Sequence, residues 1–352
     1  MRRDVSLASL SATVARAISV WGLLVLLVLL VIVFSLFKPD TFLTYFNIRS
    51  ILSNKSVQAL AALSVFIPMV ANQFDLSAGF NIGISQVLAI GLQGQGWPWW
   101  AAMLAVVCMG ALVGLVNGTL ITRVKIDSFI ATLGTGTVLY GLNAWYTGGQ
   151  QVLASLPDAF LAISGNVWII PAPAIYALVV SLLLWVIFEY LPLGRYLYVL
   201  GASPRAAELN GISAKKYITL AFVAAGTLAA FAGVVLQSQL QVGQSSVGQE
   251  YLLPAFTAAL LGATSIRPGR VNVWGTVLAV AVLAVTVAGL NQLGAPFFVE
   301  PLFNGTMLIL AVGLAVQAAQ RRQRRGTEAD RVAIVAGDSA APVVKAGPGE
   351  LK

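Results

Sequence analysis

The chain has 352 residues, 58% of them hydrophobic and 10% charged, with a mean hydropathy of +0.86 and a formal net charge of +8. A soluble domain carries about 25% charged residues, so a water-soluble globule is excluded, and length sets a helix count instead: at about 20 residues per crossing of a bilayer core, about ten membrane helices fit an all-α integral membrane protein. The absence of His excludes His-based metal sites, His acid–base relays and a Ser-His-Asp triad, and a single Cys excludes an intrachain disulfide or a CxxC pair.

Residues 1–16 hold Arg2, Arg3 and Arg16 and read as a cytoplasmic N-terminus. The first span, 17–37, has no charge and stops at Lys38-Pro39-Asp40. It is too long for the core of a signal peptide and no small-x-small cleavage site follows, so it is expected to stay as a helix. Further spans are expected at 56–71, 78–92, 97–121, 128–146, 171–190, 217–240, 252–265, 271–293 and 298–316, so that 17–318 forms one transmembrane domain. Trp97, Trp99 and Trp100 open the fourth span and Trp145 and Tyr146 close the fifth, as aromatic belts at a membrane interface do. Cys108, in an apolar run, is expected to be inert core. The outer loop 147–170 carries little charge and is the largest exported segment, a docking surface for a partner. Residues 319–352 begin with Arg-Arg-Gln-Arg-Arg from Arg321 and continue rich in Gly, Ala, Pro and Asp; such a tail has no face to bury and is expected to be disordered.

Orientation follows from Lys and Arg. With the N-terminus inside, every one of the 21 basic residues except Lys38, Arg49 and Lys55 falls on the inner side. Both termini are therefore expected in the cytoplasm. The basic excess reads as topology and contact with anionic lipid in the bilayer, not as a nucleic-acid surface.

Asp75 is the ionisable residue that stands out between spans. Two geometries fit it: a cytoplasmic turn in which Asp75 caps the next helix, with Ser77 and Gly79 nearby, or a broken helix at mid-depth, tolerated only where it lines a cavity. Amides and hydroxyls also interrupt the apolar spans: Asn81, Gln86, Asn117, Thr132, Thr135, Asn143, Gln237 and Asn291. Of these, Asn81, Asn117, Thr132, Thr135, Asn143 and Asn291 join Asp75 and Ser77 as candidates to line a path for a hydroxyl-rich solute; bonding between helices is the alternative use of such groups. Gly110-x-x-x-Gly114 and Gly134-x-Gly136 suggest close helix packing. Residues 129–135 echo 256–264 after one insertion, as an inverted repeat would, although residues this common also recur by chance.

The longest inner loop, GRYLYVLGASPRAAELNGISAKK at 194–216, contains a short helix signature. Ser203 suits an N-cap and Pro204 the first helical position. Arg205, Ala206, Ala207, Glu208, Leu209 and Asn210 are mostly helix-compatible, and Gly211 suits the left-handed position that ends a helix. Two turns are not stable alone in water, so the helix needs a partner surface; an ordinary structured loop is the alternative.

This loop resembles the coupling loop of membrane permeases in the ribose/xylose/arabinose-type ABC importers, which run Gly-Arg-Tyr, then Ala-Leu-Gly-like residues, then Ala-Ala-x-Leu-x-Gly-Ile. Four further segments resemble that family in order. They are QFDLSAG at 73–79, GLVNGTLITRVK at 114–125, FIATLGTG at 129–136 and LLGATSIRPGRVNVWGT at 260–276. Gln73 stands where Gly is common, and Pro268 interrupts the Gly-Arg loop. The resemblance covers 46–316. It implies a permease subunit of the bacterial inner membrane with no catalytic centre, metal or cofactor of its own. Its implied partners are cytoplasmic ATPase subunits docked on 203–211, a periplasmic sugar-binding protein, and a second permease copy in a homodimer or heterodimer. The resemblance also implies a monosaccharide such as ribose or xylose as cargo, with a nucleoside or polyol as the alternative. The residues agree with a chain driven from outside, since no GxxxxGK[ST] phosphate loop occurs. An ion-coupled transporter would place more ionisable groups in its spans, and an intramembrane enzyme would need paired carboxylates or His there.

Overall fold

The computed structural model describes residues 7–314 and 316–317; the tail 319–352 and the first six residues, parts of the expected cytoplasmic segments, lie outside the described residues. The described chain is almost wholly helical. α1 (Leu7–Phe37) begins well before position 17. Its large apolar side chains from Trp21 to Phe37 are mostly exposed, as a helix at the lipid-facing edge of a bundle requires.

α2 (Tyr45–Met69) has the opposite character. Thr44 caps it by accepting from the Asn47 N–H at 3.3 Å, and everything from Ser56 to Ala71 is buried. It forms the centre of the bundle with α3 (Ser77–Gly94) and α10 (Ala214–Leu240). α10 also packs along α4 (Trp99–Thr119), whose last residues continue as a π-helical turn, Leu120–Val124. The close approach depends on missing side chains: a Cβ on Gly114 would overlap the Phe222 carbonyl, and one on Gly226 would overlap that of Gly110. Gly136 of α5 (Ser128–Thr147) lies against the Phe80 ring, while Gly134 has open space around it and packs against nothing. Cys108, expected in the core, is exposed on the outer side of α4.

The segment after α5 holds a one-turn α6 (Asp158–Leu161) and a small antiparallel pair, β1 (Asn166–Val167) with β2 (Ile170–Pro171), in which Val167 faces Ile170. α7 (Ala172–Glu189) follows. The loop read at 194–216 is mostly helix: α8 (Pro192–Ala202), α9 (Pro204–Leu209), then α10. α8 went unread in the sequence because Gly194 and Gly201 break its pattern. Both are where the chain passes close to other backbone, at Phe188 and Val70.

After α10 come α11 (Val247–Glu250), α12 (Leu252–Gly262), α13 (Val273–Gln292) and α14 (Val299–Leu314). Among the described residues, six helices are long and apolar enough to cross a bilayer: Val20–Phe37, Tyr45–Met69, Trp99–Val124, Ala172–Glu189, Ala214–Leu240 and Val273–Gln292. α3 and α5 have the length but carry the polar residues, so their hydropathy is lower. α12 does not reach across: its 11 residues span about 16 Å, half a hydrocarbon core.

α3 and α5 run side by side in the same direction. Leu76 meets Thr132 at their starts, Phe80 meets Gly136, and Gly91 meets Tyr146 near their ends. This register is a depth scale for the bundle, from the end that carries the basic loops to the opposite end.

Candidate functional site

The turn between α2 and α3 places Asp75 inside the protein, 1% exposed. Its Oδ1 accepts from the Ser77 N–H at 3.0 Å and from the Ser77 hydroxyl at 2.6 Å. The Ser77 oxygen accepts from Asn117 Nδ2 at 2.8 Å, and Asn117 Oδ1 accepts from Thr135. Thr132 accepts from the Leu76 N–H at 3.0 Å, while Ser128 accepts from the Phe74 N–H at 3.1 Å. Asp75, Ser77, Asn117, Thr132 and Thr135 thus form one buried assembly that joins α3, α4 and α5. On the α3–α5 scale it lies about one turn in from the basic end. Asp75 supports the start of α3 as a cap would, one residue before the formal N-cap Leu76. Within the turn Asn72 is exposed, Gln73 and Phe74 are half-buried and Asp75 is buried.

The other expected residues separate from this assembly. Asn81 donates to the Gly226 carbonyl at 3.0 Å on the α3–α10 seam and accepts from Ser85. Asn143 donates to the Ser245 carbonyl at 3.3 Å, and its Oδ1 is buried without a partner. Asn291 is exposed near the end of α13, away from the rest. The Ser203–Gly211 residues form a different site, described below.

Sequence reading passed over the segment 241–251. It does not stay outside as a loop. Gly243 pairs with Val152 through two backbone bonds of 2.9 Å and lies beside Ile90. Gly248 lies on the backbone of Gly79 and Gly83, level with the middle of α5. Between these points the chain descends through half the bundle without regular helix. Backbone of this kind at membrane depth must be buried in protein or line water. Its carbonyls are held by side chains: Gln86 donates to Gln244, Asn143 to Ser245, and Gln237, with its amide turned to donate, reaches Val242 at 3.3 Å. The legible signal was the composition QVGQSSVGQE, mostly polar with only Val242 and Val247 apolar, between two apolar spans.

At the basic end, α9 is built as its sequence dictates. Ser203 accepts from the Ala206 N–H at 3.3 Å, and Pro204 opens the helix. Gly211, at φ +74°, closes it: its N–H donates to the Glu208 carbonyl at 3.0 Å, and the Ile212 N–H reaches Ala207 at 2.9 Å, a Schellman ending. The Asn210 side chain adds a bond to Ala206 at 2.8 Å. Ala207 is buried under the helix, whereas Ala206 and Leu209 face outward and Leu209 is 75% exposed. Arg205 and Glu208 face each other at 3.6 Å, both well exposed.

α8 ties this helix to the bundle. The Tyr198 hydroxyl donates to the Val271 carbonyl at 2.8 Å, and the Arg270 guanidinium stacks 3.3 Å above the Tyr198 ring. Burial pushes the Tyr198 phenol up, so it stays protonated and able to donate. Arg267 makes a two-pronged pair with Glu189 at 2.5 and 2.6 Å. A cavity of 330 Å³ opens between Met69, Phe74, Gly201, Leu260 and Arg270, beside the Asp75 turn.

The family described as "Branched-chain amino acid transport system / permease component" matches residues 47–312. The chain is 33% identical to the ribose import permease protein RbsC of Bacillus subtilis over 283 residues, 80% of this chain and 88% of that relative. It is 30% identical to the D-allose transport system permease protein AlsC of Escherichia coli, over 84% of this chain and 90% of the relative. It is 29% identical to the galactose/methyl galactoside import permease protein MglC of Haemophilus influenzae, over 79% and 88%. No solved structure matches the chain at a significant level. With three-quarters of its length inside one family and relatives matched nearly end to end, this helical, multi-pass chain belongs to that family of transport-system permease components.

Proposed function

We propose that the chain is the permease subunit of an ATP-driven ABC importer for a monosaccharide, driven by cytoplasmic ATPase subunits and supplied by a periplasmic sugar-binding protein. The observation that carries this reading is α9, a capped two-turn helix that presents Leu209, Arg205 and Glu208 outward. Six residues cannot hold a helix in water alone, and an exposed Leu between charges suits the groove of another protein. We assign Ser203, Pro204, Arg205, Ala206, Ala207, Glu208, Leu209, Asn210 and Gly211 to ATPase coupling.

The sugar assignment is supported by the relatives, named for ribose, allose and galactose, and by the chemistry of the interior. An amino-acid cargo needs counter-charges for an ammonium and a carboxylate. The buried polar groups here are almost all amides and hydroxyls.

The bundle would cross the inner membrane ten times, with α3, α5, α14 and the stretch 241–262, in which the unwound segment is completed by the half-length α12, adding to the six apolar helices, and with 1–16 and 319–352 in the cytoplasm. Two broken connections, 70–76 and 241–251, each follow a long central helix, which supports an inverted repeat pairing α2–α3 with α10–α12. A second permease copy would complete the path, with Asp75, Ser77, Asn81, Asn117, Thr132, Thr135 and Asn143 closest to it on this side; Asn291 is the least placed for that role.

The test is reconstitution of the complete complex in proteoliposomes with labelled D-ribose, D-allose, D-galactose and L-leucine. ATP-dependent uptake of a sugar and not of leucine is expected. Leucine uptake, or sugar uptake that persists without the ATPase, would overturn the reading.

A further inference from the structure

Glu250 ends the one-turn α11 and is exposed, two residues after Gly248. Gly248 sits on Gly79 and Gly83, level with the middle of α5, so this carboxylate lies near the middle of the bundle. Ser246 is also exposed, and Gln244, Ser245 and Gln249 are half-buried beside it. A carboxylate and a run of amides and hydroxyls at that depth cannot face hydrocarbon. They face water or another protein chain.

A second copy brings no free cation to meet Glu250. Among the described residues, Lys and Arg lie in the end loops, in α8 and α9 or near helix ends, and Lys55 is already paired with Glu300 at 3.3 Å. What remains is a wet passage. Its lining here combines one two-oxygen acceptor, Glu250, with the Ser246 hydroxyl and the amides of Gln244 and Gln249, which both donate and accept. A carboxylate takes two adjacent hydroxyl protons at once, and amides serve the remaining oxygens. That set suits a neutral molecule with neighbouring hydroxyls.

We propose that the unwound segment 244–250 is a solute-contact site, with Glu250 accepting from adjacent hydroxyls of a neutral polyhydroxylated molecule; this rests on the monosaccharide reading above. Asp75 cannot serve in the same way, because it is buried and its Oδ1 already accepts two bonds from Ser77.

The test uses the full complex in proteoliposomes with D-ribose, D-allose and D-galactose as probes. Glu250→Gln and Glu250→Ala should lower uptake per ATP hydrolysed about tenfold, the loss expected of a charged hydrogen bond, and Glu250→Asp should restore part of it. Wild-type coupling in both the Gln and Ala variants would overturn the proposal. Independently, Glu250→Cys in a Cys108→Ser background should react with a water-soluble maleimide from the outer face, and a transported sugar should slow that reaction. No labelling of the assembled complex, or a disulfide between two copies at this position, would overturn it. If the wild-type complex carries none of the three sugars, the monosaccharide reading fails, while the maleimide result still decides whether Glu250 faces water.

Discussion

The Asn117 side chain donates to the Ser77 hydroxyl across 2.8 Å, which joins α4 to the first residue of α3. Ser77 uses its own proton on Asp75, so the buried carboxylate is answered by dipoles passed along a chain, with no cation among its partners. Asn117→Leu fills the same space but leaves the Ser77 hydroxyl without its donor, while Thr135 keeps its bond to the Ala131 carbonyl. It should destabilise the protein by about 1–3 kcal/mol. Thermal unfolding in detergent reads this directly, and an unchanged midpoint would contradict the network.

Two glycines inside helices, Gly114 of α4 and Gly134 of α5, should behave oppositely. A methyl on Gly114 meets the Phe222 carbonyl of α10, so Gly114→Ala should cost about 1–3 kcal/mol by forcing the helices apart. Gly134 has open space, so Gly134→Ala should be neutral or stabilise α5 by up to about 1 kcal/mol. Comparing the two unfolding midpoints checks this.

Leu209 contributes nothing to the fold of the isolated chain, being 75% exposed. Leu209→Asp and Glu208→Lys should leave thermal stability within about 0.5 kcal/mol. Both should still abolish or sharply reduce ATPase assembly and transport. Normal stimulated ATPase activity in both variants would remove α9 from the coupling role.

The Arg270–Tyr198 stack and the Tyr198–Val271 bond hold the α12–α13 loop on α8. Tyr198→Phe keeps the ring and should cost about 0.5–1.5 kcal/mol. A double-mutant cycle of Tyr198→Leu with Arg270→Ala should show a coupling of about 0.5–2 kcal/mol. Additive effects would mean that the stack carries no energy.

Local signals were legible in the sequence and long-range ones were not. Ser203, Pro204 and Gly211 specify α9 through bonds within a few residues, so their types alone define it. The central helices follow from apolar length. Asp75 defeated a sequence reading because its role is decided by Asn117 and Thr132, more than forty residues away. The segment 241–251 was hidden for a related reason: its polar residues look like an exposed loop unless Gln86, Asn143 and Gln237 are known to be waiting for its carbonyls. Gly134 and Gly136 share one motif, but Phe80 covers only the second. Cys108 was assigned to the core because an apolar run does not reveal which side of a helix meets lipid.

Gly248 has the main chain of α3 where its side chain would be. At that level the separation of two helical segments is fixed by peptide atoms in contact, which no substitution of neighbouring side chains can shrink. On the proposed solute-contact role of 244–250, substitutions around this point would change the chemical character of the surface, and hence which molecules it favours, without moving the backbone. Size and selectivity would then be separately adjustable, the first written in backbone geometry and the second in residues such as Gln249 and Glu250.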